Sequence, residues 1–219
     1  MIITFEGIDG SGKSTAVEEL EAFVDGETKY ESCVLASRCL ADMSDLIDYD
    51  EMSEWAVRRK LSPRTLALLR CMELNHSWDS YGRDAHNDKD IVICDRYIYT
   101  PLVRDCIRGV EAKYMKNLYS HFPKPDLVFY LDTKPKEALK RKIEGGIPLG
   151  DYESGLDLYR GMSIQKAFLK FQKKCTERYS VILPKSTFVI NGNRSAYTVF
   201  EDIVRIVTKY IKQQEKGKN

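Results

Sequence analysis

The chain has 219 residues, 43% hydrophobic and 31% charged, which suits one folded domain and excludes both a disordered tail and a membrane-embedded protein. Lys and Arg (34) nearly cancel Asp and Glu (33), leaving a net charge of +1 and none of the basic excess of a dedicated nucleic-acid binder. The balance hides an asymmetry: the first hundred residues are net acidic and the rest net basic, which suits either two solvated surfaces or a supply of cations to a polyanionic ligand.

Ile2–Phe5 is β-rich and runs into a glycine-dense turn, after which a helix is expected from about Lys13 to Phe23. Cys33–Ala36 reads as a second short strand. Residues 44–60 and 63–82 carry helical spacing, with Pro63 suited to a first helical turn. Ile91–Asp95 is an unbroken apolar run closing on a carboxylate, the pattern of a buried parallel strand. A helix over about 100–120 follows, then a strand over Leu127–Leu131 ending at Asp132, then a helix from Pro135 to about Ile143. Gly145–Gly150 contains three glycines and one proline and reads as a mobile loop. A long helix is expected from about Ser163 to Tyr179. Phe188–Ile190 makes a fifth strand, residues 196–213 make a final amphipathic helix, and the tail from Gln213 is expected to be disordered. Strands alternating with helices imply an α/β fold in which a mostly parallel sheet is covered on both faces.

The six cysteines (33, 39, 71, 94, 106 and 175) form no CxxC pair and only three histidines are present, so no zinc site is expected. Cys71 and Cys94 fall within apolar patterns and read as buried thiols in a reducing cytosol. Apolar runs such as Leu127–Leu131 are too short to span a bilayer. The amino terminus opens on a strand rather than a basic n-region, so no signal peptide is expected and the chain reads as cytoplasmic.

Gly7-Ile8-Asp9-Gly10-Ser11-Gly12-Lys13-Ser14 matches G-x-x-x-x-G-K-[ST] at every fixed position and sits between an expected strand and an expected helix. Glycines let the backbone curl until successive N–H groups face an anion, and the helix N-terminus adds partial positive charge. Lys13 can reach the β and γ phosphates of a nucleotide, and the Ser14 hydroxyl can ligate Mg²⁺. Asp95, at the tip of the neighbouring strand, can hold the Mg²⁺ shell opposite Ser14, and Arg96 can fork onto a phosphate.

On these residues the chain resembles the thymidylate kinase family. Thr4 to Thr15 is similar to that family's N-terminal signature almost residue for residue. Asp95-Arg96-Tyr97 falls at its Asp-Arg-aromatic motif, with Thr100 in place of its usual Ser. Pro125-Asp126-Leu127 followed by Leu131-Asp132 resembles its fourth strand, and Leu139-Lys140-Arg141 the helix leading to its lid. The resemblance implies a single P-loop kinase domain over residues 1–219 with a lid at about 142–160. It implies a five-stranded parallel sheet and phosphoryl transfer from ATP, with Mg²⁺, to dTMP or a related nucleoside monophosphate. Gly10, Ser11, Gly12, Lys13, Ser14 and Thr15 would hold ATP, with Arg141 stacked on its adenine and Asn191 beside the same base. Asp9 would bind the acceptor sugar and Arg38 and Arg96 the acceptor phosphate, near Thr100. The resemblance also implies a homodimer, paired through the helices near 63–80 and 100–118, with no nucleic-acid or membrane partner.

The departures concern the acceptor base and the lid. Where the family stacks an aromatic on thymine and reads it with an Arg four residues later, this chain carries Arg70 and Leu74. Where the family follows its Asp-Arg motif with Tyr-Gln, it carries Arg104-Asp105, and Cys39-Leu40-Ala41 replaces the sequence that normally follows Arg38. These exchanges should change which acceptor fits. Family members with Gly at position 10 normally carry a catalytic Arg in the lid, yet no Arg or Lys lies between Lys142 and Arg160. Arg160, Arg104 and Arg108 are candidates for the missing charge, and Arg104, just beyond Thr100, is favoured beside Lys13 and Arg96. Arg104 and Arg108 could instead pair with Asp105 and Glu111. Two further readings stay open: a kinase of the same fold acting on another nucleotide or phosphorylated metabolite, and a nucleotide-binding protein with little transfer activity.

Overall fold

The computed structural model describes residues 1–36, 61–88 and 90–217. The expected helix over 44–60 and Arg38 lie outside the described residues.

Five parallel strands form one sheet in the order β2-β3-β1-β4-β5: β1 (Ile2–Glu6), β2 (Ser32–Ala36), β3 (Ile91–Asp95), β4 (Leu127–Asp132) and β5 (Phe188–Asn191). The register sets Phe5 beside Asp95 on one side and Phe129 on the other. The ends of β1 and β3 therefore open at one level, where a doubly wound sheet binds its ligands. The unbroken apolar runs Ile91–Asp95 and Leu127–Asp132 lie inside the sheet with both faces covered, so no alternation is needed there, whereas Phe188–Asn191 is an edge strand. On one face Ile3, Phe5, Ile93 and Phe129 pack against α1 (Lys13–Glu27), and Phe5 and Phe129 stack with centroids 5.3 Å apart. On the other, Ile2, Val92 and Cys94 meet Ala67 and Cys71 of α2 (Pro63–Ser77). Each large apolar side chain buried this way contributes about 1.5–3 kcal/mol.

Three helices differ from their expected extents, each for a local reason. The helix read over 63–82 is α2, capped by Ser62, whose side chain accepts from Thr65 N at 3.1 Å. It then passes through a π-helical turn, Trp78–Gly82, into α3 (Arg83–Asn87). That turn lets Trp78 reach Tyr97, and Gly82 sits where a Cβ would lie 2.8 Å from Leu35 Cδ1. The helix read over 100–120 is two, α4 (Tyr99–Ile107) and α5 (Ala112–Leu118). Gly109, at φ 95°, breaks it, and Asp105 O accepts from both Arg108 N and Val110 N. The last helix, α9 (Ala196–Lys216), continues three residues past Gln213, into the segment expected to be disordered, whose last two residues lie outside the described ones. Its side of the core, Val199, Ile203 and Val207, is fully packed against the sheet.

Between β4 and β5 lie α6 (Pro135–Glu144), a short helix α7 (Asp151–Ser154) and α8 (Ile164–Ile182). The α7 turn falls within the segment read as a lid and was absent from the sequence reading.

Candidate active site

The Gly7–Ser14 loop joins β1 to α1 with Gly7, Gly10 and Gly12 all at positive φ (148°, 76° and 96°). No other residue adopts this path without strain, and a Cβ on Gly10 would also meet Ala138 O at 2.6 Å. Lys13 lies buried in the loop, its ammonium donating to Ile8 O at 2.8 Å and Ser11 Oγ at 3.2 Å. Burial, with Arg96 adding to it, pushes Lys13 down to about 7. Ser14 and Thr15 open the first turn of α1 and are exposed.

Ser14 Oγ donates to Asp95 Oδ2 at 2.7 Å, so the tip of β3 and the start of α1 meet as the sequence suggested. Asp95 Oδ1 is buried and has no hydrogen-bond partner. A hydroxyl and a carboxylate with a spare buried oxygen, beside a loop shaped for phosphate, fit a hard cation that takes its remaining ligands from phosphate and water.

Arg96 is the one non-glycine at positive φ among the described residues, at 71°. That conformation is costly and persists only where the surroundings impose it. Here Arg96 N donates to Phe5 O, and the guanidinium donates to Gly7 O at 3.1 Å and to Asp9 Oδ1 at 2.5 Å. Glu6 fixes the same loop. Its carboxylate accepts from Tyr97 N at 3.0 Å and Thr100 Oγ1 at 2.6 Å, and burial raises its pKa above the ordinary value.

Asp9 is the hub of a buried charge network. Arg96 and Arg104 both bridge to its carboxylate, and Gln172 Nε2 donates to it at 2.7 Å. Burial alone would raise its pKa, but Arg104 and Arg96 outweigh burial and hold the carboxyl well below the usual carboxylate range. Arg104 thus reaches Asp9, beside the loop, rather than Asp105 or Glu111. Arg108 pairs elsewhere too, on Asp157 at 2.8 Å and 3.0 Å.

The segment expected as a lid is docked by an aromatic ring. Tyr152, on α7, lies between the guanidiniums of Arg70 (4.2 Å from its centroid) and Arg108 (3.4 Å), and its hydroxyl donates to Asp105 Oδ1 at 2.9 Å. Arg70 also bridges to Asp105. Arg70, Asp105 and Arg104 thus border one region, as the sequence implied, but the first two hold each other. Arg160 is exposed and outside this cluster. On the opposite side of the loop Arg141 packs against Glu137, 3.1 Å away, and donates to Arg194 O at 3.4 Å. Asn191 O accepts from Arg194 Nε at 3.2 Å, so Arg141 and Asn191 share a neighbour beside Gly12.

Sequence reasoning passed over Gln172, Tyr152 and Lys142. Gln172 had a signal: it stands in the apolar stripe Phe168, Phe171, Cys175 and Tyr179 of α8, where an amide has to find polar partners. Lys142 likewise stands one turn after Ala138 on the buried face of α6.

A family model described as thymidylate kinase matches residues 5–203. A probable thymidylate kinase 2 of Saccharolobus solfataricus is 31% identical, over 96% of this chain and 97% of that protein. A probable thymidylate kinase of Pyrococcus horikoshii is 28% identical over 94% of each. A thymidylate kinase of Chlorobium luteolum is 28% identical over 98% of this chain and all of its own length.

Proposed function

The chain belongs to the thymidylate kinase family, and from that premise we propose that it moves the γ-phosphoryl group of Mg²⁺-bound ATP to dTMP or a related monophosphate. The chain is a phosphotransferase, a nucleoside monophosphate kinase of thymidylate-kinase type. In the proposed complex Gly10, Ser11, Gly12, Lys13, Ser14 and Thr15 hold the triphosphate, with Arg141 and Asn191 beside the adenine. Ser14 and Asp95 would hold Mg²⁺, which when bound would screen the β and γ phosphates. Asp9 takes the acceptor sugar, and Arg96 and Arg104, with Thr100 and Arg38, take its phosphate. The acceptor oxygen is already anionic, so the protein aligns it for in-line attack and needs no general base.

The observation that carries this reading is the Asp9 cluster. Two arginines converge on one carboxylate beside the phosphate loop, so an incoming phosphate finds two guanidiniums already oriented. A switch protein would need no such acceptor site. The test is ADP release with Mg²⁺ and ATP over a panel of nucleoside monophosphates. Turnover of dTMP supports the reading, and failure of every monophosphate with intact ATP binding rejects it.

One observation favours a second acceptor. Arg70 and Asp105, which the family resemblance assigns to base reading, pair with each other beside Tyr152. A base entering there has to part an ion pair, which favours a nucleotide other than dTMP or another phosphorylated metabolite. The same panel separates the two: turnover of another monophosphate with dTMP inert selects the second reading. We also propose a cytoplasmic homodimer acting on small molecules alone. No helix among the described residues is long and apolar enough to cross a membrane. Leu68 and Met72, one turn apart on α2, are exposed at 48% and 41% and supply apolar surface for pairing.

A further inference from the structure

We propose that Lys142, from the last turn of α6, is the cation that meets the transferring phosphoryl group, and that Glu153 of the lid holds it in readiness. The proposal rests on the kinase reading above and supplies the charge that the lid itself lacks.

The other cations near the loop serve elsewhere. Arg96 and Arg104, oriented on Asp9, belong to the acceptor phosphate in the reading above, and Arg108 is forked on Asp157 and lies against Tyr152. Arg141 pairs with Glu137 one turn away, and Lys140 with Glu144 on the exposed face of α6. Lys142 instead faces inward and is 6% exposed, a rare degree of burial for a lysine.

Its place is over Gly10. A Cβ on Gly10 would come within 3.2 Å of Lys142 Cγ, so the stem of Lys142 fills the space a side chain at residue 10 would occupy. Gly10 cannot carry a cation of its own, because its φ of 76° and the approach of Ala138 O forbid a side chain. Lys142 is also among the charges that lower Asp9, so its field reaches the acceptor end of the site as well as the loop.

Glu153 is the latch. Its carboxylate accepts from Lys142 Nζ at 2.6 Å, and its backbone carbonyl accepts from Gln172 Nε2 at 2.8 Å. Gln172 Nε2 also donates to Asp9, so seating the lid ties Lys142 and the acceptor carboxylate to one segment. A γ-phosphate carries more charge than one carboxylate and draws the ammonium from Glu153 onto itself. A lysine suits such an exchange, being a compact charge on a flexible stem. In the step an acceptor phosphate oxygen bonds to the γ-phosphorus while the bond from that phosphorus to the β–γ bridging oxygen breaks. ADP leaves with that electron pair. No proton is transferred, and Lys142 acts through hydrogen bonds to the equatorial oxygens.

The experiment compares steady-state kinetics of the parent, Lys142→Met, Lys142→Arg and Glu153→Gln on the most active monophosphate, with ADP affinity measured by calorimetry. Lys142→Met is expected to lower kcat about 100-fold while changing ADP affinity and the KM of the acceptor less than about threefold. Lys142→Arg is expected to recover most of that loss, and Glu153→Gln to lower the KM for ATP without a comparable loss of kcat. If Lys142→Met keeps kcat within about threefold of an active parent, the assignment falls while the kinase reading stands. If Glu153→Gln loses kcat as severely as Lys142→Met, Lys142 serves only to seat the lid and the assignment also falls. A parent inert towards every monophosphate overturns both.

Discussion

Lys13 lies with its ammonium against Ile8 O and Ser11 Oγ, and burial together with Arg96 brings it from 10.5 to about 7. Lowering this pKa makes the charged form costly to fold. That cost is present in full below about pH 7 and is relieved as pH rises towards 10.5, the ordinary value of an unfolded lysine. A bound polyphosphate favours the charged form, so binding ATP above pH 7 should take up part of a proton. Calorimetry at pH 8 in two buffers of different ionisation enthalpy is expected to show that uptake, and Lys13→Met is expected to abolish it. Equal heats in the two buffers for the parent would contradict the assigned role of Lys13. At the same scale, the identities of the loop residues and of Asp95 and Arg96 were legible because their chemistry follows from a contiguous motif. The partners of Arg104 and Arg108 were not legible, since a guanidinium reaches far enough to choose among several carboxylates.

Among the elements, the segment proposed as a lid rests on two guanidiniums, Arg108 buried and Arg70 partly so. Arg108 is pinned by Asp157 and stacked on Tyr152 and Phe171, and Arg70 also lies over the Tyr152 ring. Replacing Asp157 by Asn should leave the Arg108 charge poorly compensated and cost about 1–3 kcal/mol, less than a fully buried pair because Asp157 is partly exposed. Urea unfolding measures that cost. An undocked lid also admits water, so the same variant should hydrolyse ATP faster in the absence of acceptor. Unchanged hydrolysis would separate the Arg108–Asp157 pair from lid closure. The strands were legible as unbroken apolar runs. The helix over 63–82 and the helix over 100–120 were misjudged where Trp78–Gly82 tightens against Leu35 and where Gly109 takes a left-handed turn. Helical periodicity passes through both places without a sign of either.

In the whole molecule, the sheet order sets the ends of β1 and β3 together at the ligand-binding edge, and α1 and α9 share one face of the core. The opposite side leaves Leu68 and Met72 of α2 exposed. Sedimentation is expected to find a mass of two chains, and Met72→Glu a mass of one with the fold retained. A parent that sediments as a single chain would leave that apolar pair unexplained. From the residues alone one could determine the alternation of strand and helix, the phosphate loop and the carboxylate opposite it, because glycine freedom, β-branching and strand-end charges act within a few neighbouring residues. Tertiary structure alone decided which cation serves which carboxylate: Arg104 with Asp9, Arg70 with Asp105, Arg108 with Asp157 and Lys142 with Glu153. Those pairings depend on how α2, α4, α6 and the segment 151–157 pack against one another. Coulomb attraction between long side chains has no local pattern by which a sequence could announce it.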